Sequence, residues 1–170
     1  MNEWYMATLV GRDRPGIVAA VTQALYEAGC HLGETSMVRL GGNFTIMLMA
    51  RCAQGGLLET LEPVADRLGL RLHLDRIEGR LHDHRIPDVR VSVHGADRAG
   101  IVAQVTGRLA EAGLDILDLD SDVAGSEAQP IYLMHIEGLA TQGIEALEAA
   151  LADLDAGITV HLSPIETMIG

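Results

Sequence analysis

The chain contains no lysine, and its positive charge comes entirely from 12 arginines. This absence excludes a phosphate-binding loop built on lysine, a Schiff-base enzyme and any catalytic lysine. Only two cysteines occur, Cys30 and Cys52, and they show neither a CxxC spacing nor the pattern of a disulfide framework. The sequence therefore predicts no disulfide framework, and no histidine stands at a spacing that would identify a nucleophilic cysteine.

Long apolar runs and clusters of basic residues are also missing. The first ten residues have neither a basic segment nor an apolar run long enough for a signal peptide or a membrane span, so we expect a cytoplasmic protein. Residues 1–80 hold nine acids and eight arginines, whereas residues 81–170 hold fifteen acids and four arginines. A surface that binds a nucleic acid duplex needs clustered cations. Because the net charge is −12 and no basic run occurs, we expect no direct contact with nucleic acid or membrane.

What the sequence does contain is a duplication. Residues 11–32, GRDRPGIVAAVTQALYEAGCHL, return at 95–116 as GADRAGIVAQVTGRLAEAGLDI, with 13 identical positions among 22. This similarity indicates two related domains rather than a solenoid, whose repeats are about 20–50 residues long. We predict one domain at 1–79, a linker at 80–88 and a second domain at 89–170. Domains of about 80 residues bury a small share of their surface, so we expect them to pack on each other or on a second chain.

Each copy begins with a strand, a turn and a helix. Apolar and polar residues alternate over residues 89–94, which is typical of a half-buried strand, and the repeat gives copy one the same strand. In the turn that follows, the carboxylates of Asp13 and Asp97 are expected to cap the helix. Pro15 would then lie in the first helical turn, and Gly29 would close the helix. The apolar face predicted for the helix of copy one consists of Ile17, Val21, Leu25 and Ala28.

Both copies then continue with a hairpin, a helix and a last strand. Gly41-Gly42-Asn43 is a strong turn signal between strands predicted at 35–40 and 44–51. Because both alternating sets of FTIMLMA are apolar, the second of these strands is expected to be central and covered on both faces. The remaining helices and strands are predicted at 56–68, 70–77, 115–123, 130–138, 142–154 and 158–165. The order βαββαβ in each copy predicts an α+β fold, a ferredoxin-like four-stranded antiparallel sheet with both helices on one face.

The repeated G-x-D-R-x-G-I-V turn is the best candidate for a binding site. It ends a strand and starts a helix, so amides of the first turn and the helix dipole point at one place, which suits a carboxylate or a phosphate. Gly16 and Gly100 would let a ligand approach the backbone. The alternative interpretation is a tight structural turn with an aspartate cap, and spacing alone leaves both interpretations open.

At these residues the chain resembles the ACT domain family. GRDRPGIVAAVTQALYEAGC is similar to the first half of an ACT domain, and the resemblance covers both copies. The family implies a ferredoxin-like module that binds amino acids as a regulatory sensor, with ligands where the loop after strand one of one domain meets strand two of a neighbouring domain. In copy one, the resemblance assigns ligand binding to Asp13, Arg14, Pro15, Gly16 and Ile17, and to Glu34, Thr35, Ser36 and Met37. In copy two, it assigns ligand binding to Asp97, Arg98, Gly100 and Ile101, and to Asp115, Ile116 and Asp118.

The resemblance also implies a mechanism and a function. First-turn amides would hold the ligand carboxylate, while a carboxylate or carbonyl across the interface would hold its ammonium. The implied function is a non-enzymatic tandem ACT-domain regulator, a homodimer that senses a small amino acid, glycine being the first choice, and acts through a DNA-binding transcription factor. No catalytic residue, metal or cofactor is predicted. The alternative is an accessory or regulatory subunit of an enzyme of amino-acid metabolism, whose loops bind a carboxylate or a phosphorylated metabolite. Ala99 stands where copy one has Pro15, which leaves open whether both copies bind.

Two further clusters have competing interpretations. Asp118, Asp120 and Asp122 share one strand face, but the glycine and glutamate of a calcium-binding loop are missing. We interpret them as a solubilising edge strand, the alternative being an acidic docking patch for a basic partner. His82 and His84 are interpreted as part of a solvated linker rather than a metal site, because no third ligand stands at a known zinc spacing.

Overall fold

The chain forms two compact units, Met1–His82 and Asp83–Gly170. Each unit contains four strands and two helices in the order βαββαβ, as the sequence predicted. The computed structural model describes residues 3–52, 56–78, 85–96, 100–154 and 157–166. The predicted linker at 80–88 is therefore described only from residue 85 onward, and its histidines, His82 and His84, lie outside the described residues.

The two units share one topology. The first unit consists of β1 (Tyr5–Arg12), α1 (Ile17–Glu27), β2 (Cys30–Leu40), β3 (Asn43–Cys52), α2 (Leu57–Leu68) and β4 (Arg71–Arg76). The second unit consists of β5 (Val89–Ala96), α3 (Ile101–Glu111), β6 (Leu114–Ser126), β7 (Gln129–Ala140), α4 (Ile144–Leu151) and β8 (Ile158–Pro164). The sheet orders are β2-β3-β1-β4 and β6-β7-β5-β8, with antiparallel pairing throughout these ladders. Both units are ferredoxin-like, which confirms the predicted fold class.

Each core lies between the two helices and one face of the sheet. In α1 the apolar residues fall three or four apart, so that Ile17, Val21 and Leu25 are buried, as predicted. Ala28 is only half-buried, because it caps the end of the helix. The same core receives Leu57, Leu61 and Val64 from α2 and Ala7, Leu9, Ile46 and Leu48 from the sheet. The core of the second unit is built in the same way from Val89, Val91, Val93, Ile101, Val105, Leu109, Ile136 and Leu147.

The hairpin of the first unit confirms the turn signal but corrects the expected coverage of β3. Gly41 and Gly42 both have positive φ, 56° and 75°, which suits the two-residue turn that joins β2 to β3. Strand β3 is central, as predicted, between β2 and β1. Its second apolar row is not covered within the unit, since Met47 is 45% exposed and Met49 is half-buried. Both helices lie on the other face, so the first sheet presents one open face.

Several element boundaries differ from the prediction. Strand β2 begins at Cys30, five residues earlier than expected, and α4 ends at Leu151. Gly29 follows α1 with φ 65°, as predicted for a helix-closing glycine. Pro63 lies inside α2, where it removes one backbone hydrogen bond without ending the helix. Among the described residues, no helix is both long and apolar enough to cross a lipid bilayer.

The expectation about the cysteines was wrong. Cys30 and Cys52 form a disulfide between the first residue of β2 and the last residue of β3. The two residues are partners in the ladder, with their Cα atoms 4.1 Å apart, and both pack against the core of the first unit. The bond therefore closes the end of the hairpin opposite its turn.

Candidate functional site

The turn before α1 has a backbone conformation that only glycine adopts readily. Gly16 is the N-cap of α1 and has φ 90°, in the left-handed region, and an added Cβ there would meet nothing within 4 Å. No side chain caps the helix, and no acid lies in its first turn. In contrast, α2 and α4 each carry a glutamate in the first turn, Glu59 and Glu145. The positive end of the α1 dipole is thus not offset by a side chain of its own first turn.

Asp13 does not cap the helix, so this prediction was wrong. Its carboxylate pairs instead with Arg39 of β2, with 3.2 Å between Oδ2 and Nε. The Asp13 amide donates to the carbonyl of Gly42 at 3.0 Å, which ties the turn to the tip of the hairpin. The second carboxylate oxygen, Oδ1, is buried and has no hydrogen-bond partner within the part of the chain that the structure describes. Because the helix begins only at Ile17, Asp13 lies too early to reach its first amides.

The other predicted loop residues have different surroundings. Arg14 is exposed, and its Nη2 donates to the carbonyl of Arg67 in the last turn of α2 at 3.4 Å, where a cation interacts favourably with the helix dipole. Pro15 is exposed and precedes the helix instead of lying in its first turn, which corrects a second prediction. The side chain of Ile17 is 2% exposed, so this residue offers a ligand its backbone only.

The predicted residues of β2 lie on an edge strand, away from this turn. Thr35 pairs with Leu48 and Ser36 with Met47, in the middle of β3, whereas Asp13 contacts the turn end of the hairpin. Glu34, Thr35 and Ser36 line a cavity of about 200 Å³ together with Met6, Met47 and Met49. One unit therefore does not bring its own loop and its own β2 residues together.

The second unit begins α3 in the same way as the first unit begins α1. Gly100 is the N-cap of α3 with φ 93°, again without a side-chain cap and without an acid in the first turn, and Ile101 is buried. Asp97 and Arg98 lie outside the described residues. On β6, Asp115 forms an ion pair with Arg85, Ile116 packs partly buried against the core, and Asp118 is exposed.

Strand pairing also assembles polar groups that the sequence pattern did not reveal. On the open face of the second sheet, Arg90 Nε and Nη2 donate to Glu137 Oε1 at 2.8 and 2.6 Å, and the Ser92 hydroxyl lies 3.1 Å from His135 Nδ1. These partners are 43 or more residues apart in sequence, so only the register of β5 against β7 could have identified them. Within the described ranges, no three His, Cys, Asp or Glu side chains are arranged to hold a metal ion.

Known proteins with the same architecture are similar to this chain. Residues 4–75 match the ACT domain family, and residues 89–156 match it again. Over 139 residues the chain is 25% identical to the glycine cleavage system transcriptional repressor of Escherichia coli (strain K12), a match that covers 80% of this chain and 73% of that protein. Among solved structures, an unknown protein from Galdieria sulphuraria has a TM-score of 0.77 at 21% identity, covering 98% of this chain and 100% of the other. A candidate glycine cleavage system transcriptional repressor has a TM-score of 0.69 at 22% identity, covering 98% and 99%. The chain belongs to the ACT domain family and carries two ACT domains in tandem.

Proposed function

We propose that this protein is a regulator that senses a small amino acid, glycine first, at the N-terminus of α1. The proposal rests on the start of α1. Gly16 is left-handed there, no side chain caps the helix, and its first turn contains no acid. Backbone amides at such a helix end bind carboxylates, and the dipole favours the negative charge. Membership of the ACT domain family supports a regulator rather than an enzyme.

The second half of the site would come from β2 of a neighbouring ACT domain. Strand β2 is an 11-residue edge strand that is exposed along almost its whole length. It carries exposed apolar side chains, including Met37 at 45% and Val38 at 58%. Long edge strands with apolar side chains tend to pair with another chain, and a domain of this size gains stability from such a partner. We therefore propose a homodimer in which Glu34, Thr35, Ser36 and Met37 face the α1 loop of another domain.

We propose that the sensor regulates transcription through another protein. A relative that covers most of this chain is named a transcriptional repressor. This chain has a net charge of −12 and lacks the clustered cations that duplex binding needs. A DNA-binding transcription factor would therefore make the contact with DNA, and this chain would modulate it in the cytoplasm.

A thermal-shift screen of the full chain with the twenty amino acids tests the proposal. A ligand at 100 times its Kd stabilises the protein by about 2.7 kcal/mol, which gives a large shift for domains of this size. In Gly16→Val, the backbone can no longer hold φ 90° without strain, so we expect the response to be lost. Gly100→Val shows whether the second copy binds as well.

Gly29→Val is the matched control for this strain. Gly29 lies at the other end of α1 with φ 65°, and an added Cβ there also meets nothing within 4 Å. We expect Gly29→Val to be destabilised as much as Gly16→Val but to keep its response to the amino acid. A Gly16→Val protein that responds like the wild type would show that the start of α1 is not the sensor.

A further inference from the structure

The Cys30–Cys52 disulfide lies beside an open cavity of about 300 Å³. Of the two cysteines, Cys52 lines this cavity, together with residues that include Tyr5, Leu57 and Leu74. Both cysteines are half-buried, so the disulfide is not sealed in the core. Since a water molecule occupies about 30 Å³ in the liquid, the cavity has room for a small organic thiol. A thiol of this size can therefore approach the disulfide from the side of Cys52.

The segment that Cys30 anchors is short and is held on one side only. Strand β2 is an edge strand, so residues Cys30–Leu32 pair with β3 alone. Gly29 precedes this segment with φ 65°, and the register shift between Leu32 and Thr35 follows it. Three ladder positions and the disulfide thus hold the segment against the sheet, and a bulge separates it from the rest of β2. Loss of the disulfide is expected to loosen this segment first.

The second unit shows that the topology does not need a covalent bond at this place. Leu114 and Ala140 occupy the register positions of the two cysteines. A register shift is also present there, between Ile116 and Asp118. The same strand pairing and a similar bulge therefore form around an apolar pair. Opening the disulfide is accordingly expected to leave the sheet order of the first unit intact.

A disulfide is expected to be reversible in the proposed location of this protein. Disulfides in cytosolic proteins are usually transient and serve catalysis or redox sensing, because cellular thiols keep cysteines reduced. Exposed disulfides are also more easily reduced than buried ones. The first of these arguments rests on the cytoplasmic location given under the proposed function, whereas the second rests on the position of Cys52 alone.

We propose that Cys52 is a thiol–disulfide exchange site for a small organic thiol, and that exchange there releases the start of β2. The thiolate of the small molecule attacks Cys52 Sγ, forms a mixed disulfide with it and breaks the bond between the two cysteines. The electron pair of that bond leaves on Cys30 Sγ, which takes a proton from water. A second thiolate then attacks the sulfur of the small molecule in the mixed disulfide and releases Cys52 as a thiolate. Two small thiols are thereby oxidised to a disulfide for each protein disulfide that is reduced.

Exchange rates at the single cysteines test the site of attack. Cys30→Leu and Cys52→Ala each introduce the residue that the second unit carries in the same register, so both variants are expected to fold. The probe is 2-hydroxyethyl disulfide, which is uncharged and forms a mixed disulfide that mass spectrometry detects. We expect Cys52 in Cys30→Leu to react at least fivefold faster than Cys30 in Cys52→Ala, because access controls the rate. Equal rates in the folded proteins, or a faster reaction at Cys30, would overturn the assignment to Cys52.

The same two variants in urea provide the reference. Unfolding removes the cavity, so the two cysteines should then react at equal rates. A fivefold difference that persists in urea would show that local sequence, and not the cavity, sets the rates, and the proposed site would be wrong.

Hydrogen exchange of the full chain, without denaturant, tests the release of β2. After reduction by 2-mercaptoethanol, peptides that cover residues 30–34 should exchange at least tenfold faster than in the oxidised protein, because the segment opens locally. Peptides from the β2–β3 turn, residues 38–45, should change less than twofold. Reoxidation by 2-hydroxyethyl disulfide should restore the original rates. Cys30→Leu/Cys52→Ala is the matched control and should respond to neither reagent.

These experiments separate the exchange site from the amino-acid sensor. No amino acid is present in them, so the proposal stands if the α1 loop binds nothing. A disulfide that 2-mercaptoethanol reduces only after the protein unfolds in urea overturns the proposal and leaves the thermal-shift test of the α1 loop unaffected. Faster hydrogen exchange spread over the whole first unit also overturns it, since the disulfide would then hold the unit together and not the start of β2.

Discussion

Breaking the Cys30–Cys52 disulfide should lower the free energy of unfolding of the first unit by about 3 kcal/mol. The bond joins residues 22 positions apart and closes almost the whole β2–β3 hairpin. In the chain-entropy description, closing a loop of this length removes about 11 cal/mol/K from the unfolded chain, which is about 3 kcal/mol at 25 °C. Both cysteines also pack against the core, so replacing them with alanine adds a loss of apolar contact.

Urea unfolding of the oxidised protein, the reduced protein and two double variants measures this contribution. The variant Cys30→Leu/Cys52→Ala carries the residues that the second unit has in the same register, Leu114 and Ala140. It retains an apolar pair without the cross-link, so its loss should match that of the reduced protein. Cys30→Ala/Cys52→Ala should lose more, by the apolar contact of a leucine. A thermal scan should show a fall of more than about 10 °C on reduction, given about 4–8 °C per kcal/mol for a domain of this size.

Two results would refute this reasoning. Alkylation of the unfolded, unreduced protein followed by mass spectrometry should find no free thiol, and two alkylated cysteines would show that the bond does not form. Equal unfolding midpoints for the oxidised and reduced proteins would show that the unfolded chain gains no entropy from opening the loop.

The core and α2 give two further predictions. Leu48→Ala should lower the unfolding free energy by about 2–5 kcal/mol, because Leu48 is fully buried. Met47→Ala, next to it on the open face, should lower it by less than about 1 kcal/mol. Equal losses for the two variants in urea unfolding would contradict the assignment of the two faces. Pro63→Ala should raise the unfolding free energy, by up to about 3 kcal/mol, because it restores a backbone hydrogen bond inside α2. An unchanged or lower midpoint for Pro63→Ala would show that the helix is already adapted to the proline.

The fold could be predicted because its signals are local. The spacing of Ile17, Val21 and Leu25 defines a helix face, and the alternation of Val89, Val91 and Val93 defines a strand. The duplication then let each copy support the interpretation of the other. Signals of this kind depend on neighbouring residues, and a single sequence contains them in full.

The sequence placed the start of α1 too early, because residue types alone do not show the backbone conformation that follows Asp13. An aspartate three residues before a glycine looks like an N-cap, but Gly16 takes a left-handed conformation and the helix begins one residue later. The carboxylate of Asp13 is then taken by Arg39, a residue that β2 brings close only in the folded unit. Tertiary contacts of this kind override local capping preferences.

The disulfide was missed because a single extra residue decides the pairing of the cysteines. The Gly41-Gly42 turn pairs Leu40 with Asn43, and continuing that register would place His31, not Cys30, opposite Cys52. The irregularity between residues 32 and 35 shifts the ladder by one residue and brings the two cysteines together. A bulge has no clear signature in a single sequence, so the cross-link could be recognised only from the structure.

The two copies differ on the open face of the sheet, where packing within the unit does not determine the side chain. A position on the helix side of either sheet must fill a closed core, and Leu9 and Val93, which occupy equivalent places, are both fully buried. On the open face no helix sets the size or polarity of a side chain. Met6 therefore exists in one copy and Arg90 in the other without any change of topology. Packing within the unit therefore does not decide between an apolar and a charged side chain at this position, and the sequence of one copy could not predict the open face of the other.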